Sequence, residues 1–420
     1  YFINLLDGVF SFIIYDTRND IIIVGRDPFG VRPLYYSHDY NNFSSELKQI
    51  NNLTGENISQ FPPGNYLIKT NKFNKLRKYH TLIQNFMPHC VQFKSFANEK
   101  TYYNSLIKGT LINAVKKRLL SDRPIACLLS GGLDSSLITS IVVKLLKNKT
   151  NTKLETFSIG LPGSTDLVYA RKVADYLDTD HTEIILSEDD FFNSIPEVIE
   201  KIESYDTTTV RASVGNYLVS KYIAKNSNAK VIFNGDGSDE LTGGYLYFHK
   251  APNNLLFDYE VKNLLNNINY FDVLRSDKSI SSCGLEPRTP FLDKTFVNSY
   301  LSIPLFYRKP TSDEIEKKIL RDSFMDFLPD DILYRKKEAF SDGVSGNNRS
   351  WFEIIAEKLN NIDIPIFNYN EEYLSPRTKE QMYYRYLFEL KYPNRENVIP
   401  YFWMPKWCGD MIDPSAREIS

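Results

Sequence analysis

The sequence is poor in residues that build disulfide or metal-ribbon scaffolds. Four cysteines stand among 420 residues, at Cys90, Cys127, Cys283 and Cys408, far apart and with no CxxC pair. That excludes a disulfide framework and a zinc ribbon and fits a reducing cytosol. Five histidines (His38, His80, His89, His181, His249) show neither HxH nor HExxH spacing, which argues against a histidine metal site or a His-based triad. A dominant charge is also missing: 50 Lys and Arg face 52 Asp and Glu, for a formal net charge of −2. Such a balance argues against a protein that coats nucleic acid or a membrane surface. No apolar run approaches the roughly 20 residues of a membrane helix, and no charged-then-apolar leader opens the chain. Together these absences read as a cytosolic protein with neither nucleic-acid nor membrane partners. The chain starts at Tyr1 rather than Met, inside an apolar strand-like run (Phe2, Ile3, Leu5, Leu6), which reads as a fragment of something longer.

What is present is ordinary globular material, 42% hydrophobic, enough for two or three cores at roughly 150 residues each. Residues 1 to about 80 carry the runs GVFSFIIYD, IIIVGRD, PLYYS, FSSEL and GNYLIKT between Gly, Asn and Asp turns. That pattern predicts an antiparallel sheet. Periodicity fades from Tyr79 to Phe96. From about Tyr102 helices alternate with apolar strands. A helix from Tyr102 to Leu120 precedes a strand from Pro124 to Leu129, a helix from Ser135 to Leu146 and a strand from Leu154 to Ile159. A helix from Asp166 to Leu177, a strand from His181 to Leu186, helices to Ile223 and a strand from Lys230 to Asn234 follow. The alternation predicts an α/β fold with a doubly wound parallel sheet and ligands at the carboxyl ends of its strands. Beyond about residue 250 the chain reads as mostly helical with irregular loops.

Two turns carry chemistry. Ser130-Gly131-Gly132-Leu133-Asp134-Ser135-Ser136 lies between an apolar strand and a helix. Paired glycines let backbone N–H groups approach an anion, the helix start adds partial positive charge, and three hydroxyls can donate to phosphate. Asp134 would repel a bare phosphate and so implies a bridging cation such as Mg²⁺. The loop is neither a Walker loop nor GxGxxG; the bland alternative is a serine-capped strand-to-helix turn. The second turn, Gly235-Asp236-Gly237-Ser238-Asp239-Glu240, packs three acids among glycines after an apolar strand. Such a cluster is costly unless it binds metal or performs acid–base work; the bland alternative is a solvated acidic turn. Arg26-Asp27-Pro28-Phe29-Gly30 reads as a turn held by Asp, Gly and an Arg salt bridge. Lys337, beside Arg335 and Lys336, reads on its own as part of a solvated basic run.

SGGLDSS after an apolar strand resembles the PP-loop of ATP pyrophosphatases, which have a Rossmann-like sheet. With IGLPGSTDL, YDTTTVRAS, GDGSDELTGGYLYFHKAP, GLEPRTPFLD, EKKILRDSF and RKKEAFSDG, the chain resembles the glutamine-hydrolysing asparagine synthetases. The tail FWMPKW…DPSAR resembles their eukaryotic type. LLDGVFSFIIYD, GRDPFGVRPLYY, FSSELKQI and FPPG resemble the second half of an antiparallel, β-rich N-terminal-nucleophile glutaminase domain. The resemblance implies a partial class II glutamine amidotransferase domain over 1–84, a linker over 85–100 and a synthetase domain over 101–420. It implies an ATP-dependent carbon–nitrogen ligase that turns aspartate, ATP and glutamine or ammonia into asparagine, AMP and pyrophosphate through β-aspartyl-AMP. ATP would use Leu129, Ser130, Gly131, Gly132, Asp134, Ser135, Ser136, Ile159, Asn234 and Gly235. Mg²⁺ would be held by Asp134 and Asp239, and aspartate by Thr208 and Arg211 through an Arg fork. Asp236 would assist ammonia attack, and Lys337 would neutralise charge on the transferring phosphoryl group. Homodimers are usual in the family, through the glutaminase domain.

Two departures from the family pattern stand out. The motif commonly written SGEGSDE has Asn234 and Asp236 here in place of Ser and Glu. The shorter side chain withdraws its carboxylate by roughly 1.5 Å. The family's amino-terminal Cys nucleophile and its glutamine-binding residues have no counterpart among these residues. Cys90 falls in the linker and Cys127 in a buried strand, so this chain alone is expected to use ammonia rather than glutamine. Two other readings stay open: a β-lactam synthetase-like ligase, and a non-catalytic regulatory homologue.

Overall fold

The computed structural model describes residues 2–53, 57–82, 95–147, 152–311, 313–336, 343–346 and 349–414. The opening apolar run is a 3₁₀ turn, Phe2–Leu5, not a strand; only Ile3 of it is buried. Seven strands follow: β1 (Ser11–Asp16), β2 (Ile21–Arg26), β3 (Tyr35–Ser37), β4 (Phe43–Ser44), β5 (Ile58–Gln60), β6 (Asn65–Lys69) and β7 (Asn74–Lys78). They form one four-stranded sheet, β1-β2-β6-β7, and one three-stranded sheet, β4-β3-β5, antiparallel throughout. Val24, Leu34, Phe61 and Leu67 are their small core. The Asp27 carboxylate takes the N–H groups of Phe29, Val31 and Arg32, as the turn reading required. Buried Arg26, however, donates to the carbonyls of Gly30, Arg32 and Phe61 rather than closing that turn with a salt bridge.

The second region begins earlier than its apolar pattern suggested. Its first helix is Phe96–Arg118, with Ser95 accepting from the N–H of Asn98 as cap. Five parallel strands then build one sheet: β8 (Ile125–Leu128), β9 (Glu155–Gly160), β10 (Asp180–Ile185), β11 (Val231–Phe233) and β12 (Glu286–Arg288), in the order β10-β9-β8-β11-β12. The period of two splits the central strands β8 and β11 between two cores. Cys127 and Leu129 beside β8, with Val231 and Phe233 of β11, join the helix Leu133–Leu146 on one face. Ala126 and Ile232 join Phe157, Ile159 and the helix Thr207–Asn226 on the other. Both faces of the central strands β8 and β11 are covered, so these two are apolar runs without polar alternation. β12 is the strand of this sheet that the sequence reading missed: Glu-Pro-Arg is polar, short and carries a proline that only an edge position tolerates. Its Glu286 and Arg288 pair with each other across 3.0 Å, while Asp293 is held instead by Lys117 and Arg118.

From β8 the chain winds outward to β10, then returns to lay β11 on the other side of β8. The carboxyl ends of β8 and β11 therefore flank the topological switch point, where open α/β sheets bind ligands. The helix Asp272–Ser281 ties this point to the antiparallel region. Asp277 pairs with Arg32, and fully buried Lys278 pairs with Glu203 and Glu46. Glu203 also accepts the N–H groups of Leu47 and Lys48. Among the described residues no helix is long and apolar enough to cross a membrane.

Candidate active site

The loop after β8 starts the helix Leu133–Leu146 with Gly132 as its cap and no side chain over its first N–H groups. Uncapped N–H groups at a helix start are a ready anion cradle. Gly131 turns the chain at φ 73°. Ser130 and Ser135 bring their hydroxyls to 3.0 Å of each other at the loop mouth. The loop after β11 presses against it so closely that a Cβ on Gly235 would stand 2.7 Å from the Ser135 nitrogen. Across that contact Ser238 donates to Asp134 Oδ1 at 2.7 Å. The Nζ of Lys317 bridges Asp134 Oδ2 and Asp239 Oδ1 at 2.6 Å each.

Asp236 is held from the helix Asp272–Ser281. Ser276 donates to its Oδ2 at 2.5 Å and Arg275 to its Oδ1 at 3.2 Å. Asn234, 3% exposed, donates from Nδ2 to the same Ser276 hydroxyl at 2.8 Å. Arg275 also pairs with Asp272, which accepts the Gly237 N–H at 3.1 Å. Burial, moderated by Arg275 and reinforced by Asp236, pushes the Asp272 carboxyl up to about 6. Burial first, then Asp272 and Asp239, pushes Glu240 well above the carboxylate range while Tyr245 donates to it at 2.5 Å. The acids named in the sequence thus meet, divided between a cluster organised by Lys317 and one organised by Arg275.

These loops open on one cleft lined by Leu129, Ser130, Asp134, Ser135, Ile159, Thr208, Asn234, Gly235, Asp236 and Asp239, ten of the residues singled out from sequence. Gly132 lines a smaller neighbouring cavity with Lys317, Arg335 and Lys336. Gly131 serves as the turn, and Ser136, the fourth residue of the helix, is fully buried. Lys337 lies outside the described residues, as does Cys90.

Arg211 does not line the cleft. Its Nε and Nη2 grip Glu380 at 2.8 and 2.5 Å, and its Nη1 and Nη2 grip Asp413 at 3.1 and 2.7 Å. The cleft face of the helix Thr207–Asn226 is Thr208, Ala212, Asn216 and Val219. At 100° per residue Arg211 falls about a quarter-turn from that face. Its fork is spent on two carboxylates of the chain itself. On the cleft face, the Thr208 hydroxyl and the Asn216 amide nitrogen are buried without hydrogen-bond partners among the described residues. Asn216, Tyr245, Arg275, Ser276 and Lys317 were not singled out from sequence. Lys317 and Tyr245 had a signal, their places in EKKILRD and GDGSDELTGGYLYFHKAP.

The donor set suits a magnesium ion shared with a polyphosphate. Asp134 and Asp239 converge on one point already held by a cation, the Lys317 ammonium. Among the described residues no group of three His, Cys, Asp or Glu forms a self-sufficient metal cage. Two carboxylates completed by phosphate oxygens and water are a usual magnesium environment.

Fold and site together define an ATP-handling α/β enzyme of the PP-loop pyrophosphatase class. An asparagine synthase family model matches residues 106–260 and 257–389, and a glutamine amidotransferase domain model matches 1–104. The asparagine synthetase [glutamine-hydrolyzing] of Rattus norvegicus is 43% identical over 445 aligned residues, covering 100% of this chain and 78% of the relative. That of Homo sapiens is 42% identical with the same coverage. An NH3-dependent NAD synthetase from Campylobacter jejuni aligns with 34% of this chain and 60% of its own, at 20% identity and a TM-score of 0.23. The chain belongs to the asparagine synthetase family, and is thereby an ATP-dependent ligase with a glutamine amidotransferase region at its front.

Proposed function

We propose that the chain forms asparagine from aspartate, ATP and ammonia through β-aspartyl-AMP, releasing AMP and pyrophosphate. The observation that carries this reading is the convergence of the two glycine loops at the switch point, with Asp134, Asp236 and Asp239 in one arrangement. The nucleoside lies against Leu129 and Ile159 at the ends of β8 and β9, and the polyphosphate lies along Ser130 to Ser136 over the uncapped helix start. Asp134 and Asp239 hold Mg²⁺, which neutralises polyphosphate charge when bound. Aspartate is seated between Thr208, whose hydroxyl has no partner among the described residues, and the second loop. Arg211, engaged by Glu380 and Asp413, supports the helix behind Thr208 rather than the substrate. Asp236 receives a proton from the attacking ammonia, its position set by Ser276 and Arg275. Lys337 offsets charge on the transferring group.

The front module over 1–84 serves as amidotransferase scaffold, the synthetase domain runs from the helix that starts at Phe96, and the assembly is a cytosolic homodimer. A polypeptide of these 420 residues takes nitrogen from ammonium and not from glutamine. Its Cys127 thiol is buried in β8 and pushed up to about 12, and burial also raises Cys283 and Cys408. Thiols of that kind are poor nucleophiles. Purified chain, given ATP, Mg²⁺ and aspartate, should release pyrophosphate and make asparagine with ammonium but not with glutamine. A folded sample without aspartate-dependent pyrophosphate release would refute the synthetase reading.

A further inference from the structure

Lys317 is 2% exposed, yet its ammonium is committed to the two carboxylates that the proposed function gives to a metal. Three features fix it there. Its backbone lies in the left-handed region at φ 59°, capping the helix Lys318–Ser323, a conformation that a non-glycine residue keeps only when its surroundings impose it. Ser238 stands 3.4 Å from the same Nζ, tying the ammonium to the second loop. Gly244 makes the room: a Cβ there would come within 2.0 Å of Lys317 Cε and 2.3 Å of Asp239 Oδ1. The small cavity on the far side of the loop shares Ser130, Asp134 and Ser135 with the main cleft and adds Lys317, Arg335 and Lys336. A polyphosphate that passes the glycine loop therefore reaches the Lys317 ammonium.

We infer that Lys317 is the resident cation of the divalent-metal position and a polyphosphate ligand in turn. In the nucleotide-free chain it fills the point between Asp134 and Asp239. The polyphosphate of a nucleoside triphosphate draws it off, and the metal then takes the carboxylates. Magnesium needs oxygens at about 2.0–2.1 Å, which an ammonium lodged between the two carboxylates forbids. Moving that ammonium without a new anion would strand a buried charge. The phosphate oxygens supply the anion through charge-assisted hydrogen bonds. Metal alone is therefore a weak ligand, and metal and nucleotide enter together. The inference rests on reading Asp134 and Asp239 as metal ligands.

The test is Mn²⁺ binding followed by electron paramagnetic resonance, with and without an α,β-methylene analogue of ATP. The wild-type chain should bind Mn²⁺ at least tenfold more tightly with the analogue than without it. Lys317→Met should bind Mn²⁺ without nucleotide at least tenfold more tightly than wild type. Gly244→Ala, which pushes the lysine aside, should shift binding the same way; it decides the matter if Lys317→Met does not fold. Tight nucleotide-independent binding to wild type, or no gain in the folded variants, overturns the inference while leaving the metal site standing. Absence of Mn²⁺ binding even with the analogue overturns the metal reading itself and the inference with it.

Discussion

Ser276 gives its hydroxyl to Asp236, 2.5 Å from Oγ to Oδ2, while accepting from the Asn234 amide at 2.8 Å. Asn234 and Asp236 are the two positions where the motif departs from SGEGSDE, and one hydroxyl joins them. The shorter carboxylate is thus anchored from a helix outside its own loop. Ser276→Ala leaves both the Asp236 oxygen and the Asn234 nitrogen without this partner, a local loss of about 1–3 kcal/mol. Asparagine formation should fall roughly tenfold. Aspartate-dependent pyrophosphate release should fall less, because in the proposed reaction adenylation precedes the ammonia step. Equal losses in both assays would place Ser276 in the adenylation step instead.

Arg211 tests the reading of the TTTVR run. Removing one partner from a buried ion pair costs about 3–5 kcal/mol. Arg211→Met should lower the melting temperature by roughly 5–10 °C and expose the segment around Asp413 to limited proteolysis. If Arg211 gripped substrate, the variant would raise the KM for aspartate and melt like wild type.

Gly235 carries the contact between the loops. A methyl group 2.7 Å from the Ser135 nitrogen has to force the loops apart, an overpacking cost of about 1–3 kcal/mol. Gly235→Ala should weaken binding of the ATP analogue about tenfold by calorimetry, with the circular dichroism spectrum preserved.

The pH dependence of Asp272 has a definite sign. Its carboxyl is pushed up to about 6 by burial, above the ordinary value of 3.8, so the folded chain binds the proton more tightly than the unfolded one. The ionised group therefore penalises folding above pH 6, and stability is regained as pH falls toward 4. The unfolding free energy of wild type relative to Asp272→Asn should rise by up to about 2 kcal/mol between pH 7 and pH 4.5. Urea titrations of both proteins at several pH values measure it. A flat difference would mean that Asp272 ionises normally.

Much of the frame was legible because β8 and β11, buried on two faces, write themselves as apolar runs, and β9 and β10 keep apolar residues at every second position or at one end. β8, β9, β10 and β11 fall within a residue or so of the bounds read from them. What escaped was polar or short. β7 (Asn74–Lys78) is exposed along its whole length and carries no alternation, and β12 is three residues with a central proline. The opposite error came at Phe2–Leu5, where an apolar run sits largely in the open as a 3₁₀ turn. In the site, glycines and acids within a few residues of one another marked both loops. Arg275, Ser276 and Lys317 reach the loops from elements tens of residues downstream, and no local spacing records that. Nor does the TTTVR run itself record that the Arg211 fork meets Glu380 and Asp413, far along the chain.

The order in which the site's charges occur along the chain constrains how it can be made. Ser238 meets Asp134 across 104 residues of sequence, and Lys317 meets it across 183. During synthesis both glycine loops emerge long before the ammonium that bridges them. A nascent chain halted short of Lys317 carries a nearly complete parallel sheet whose Asp134 and Asp239 still lack that bridge. The nucleotide cleft is therefore among the last parts of the molecule to close, and a truncated product can look folded by its core while having no working centre.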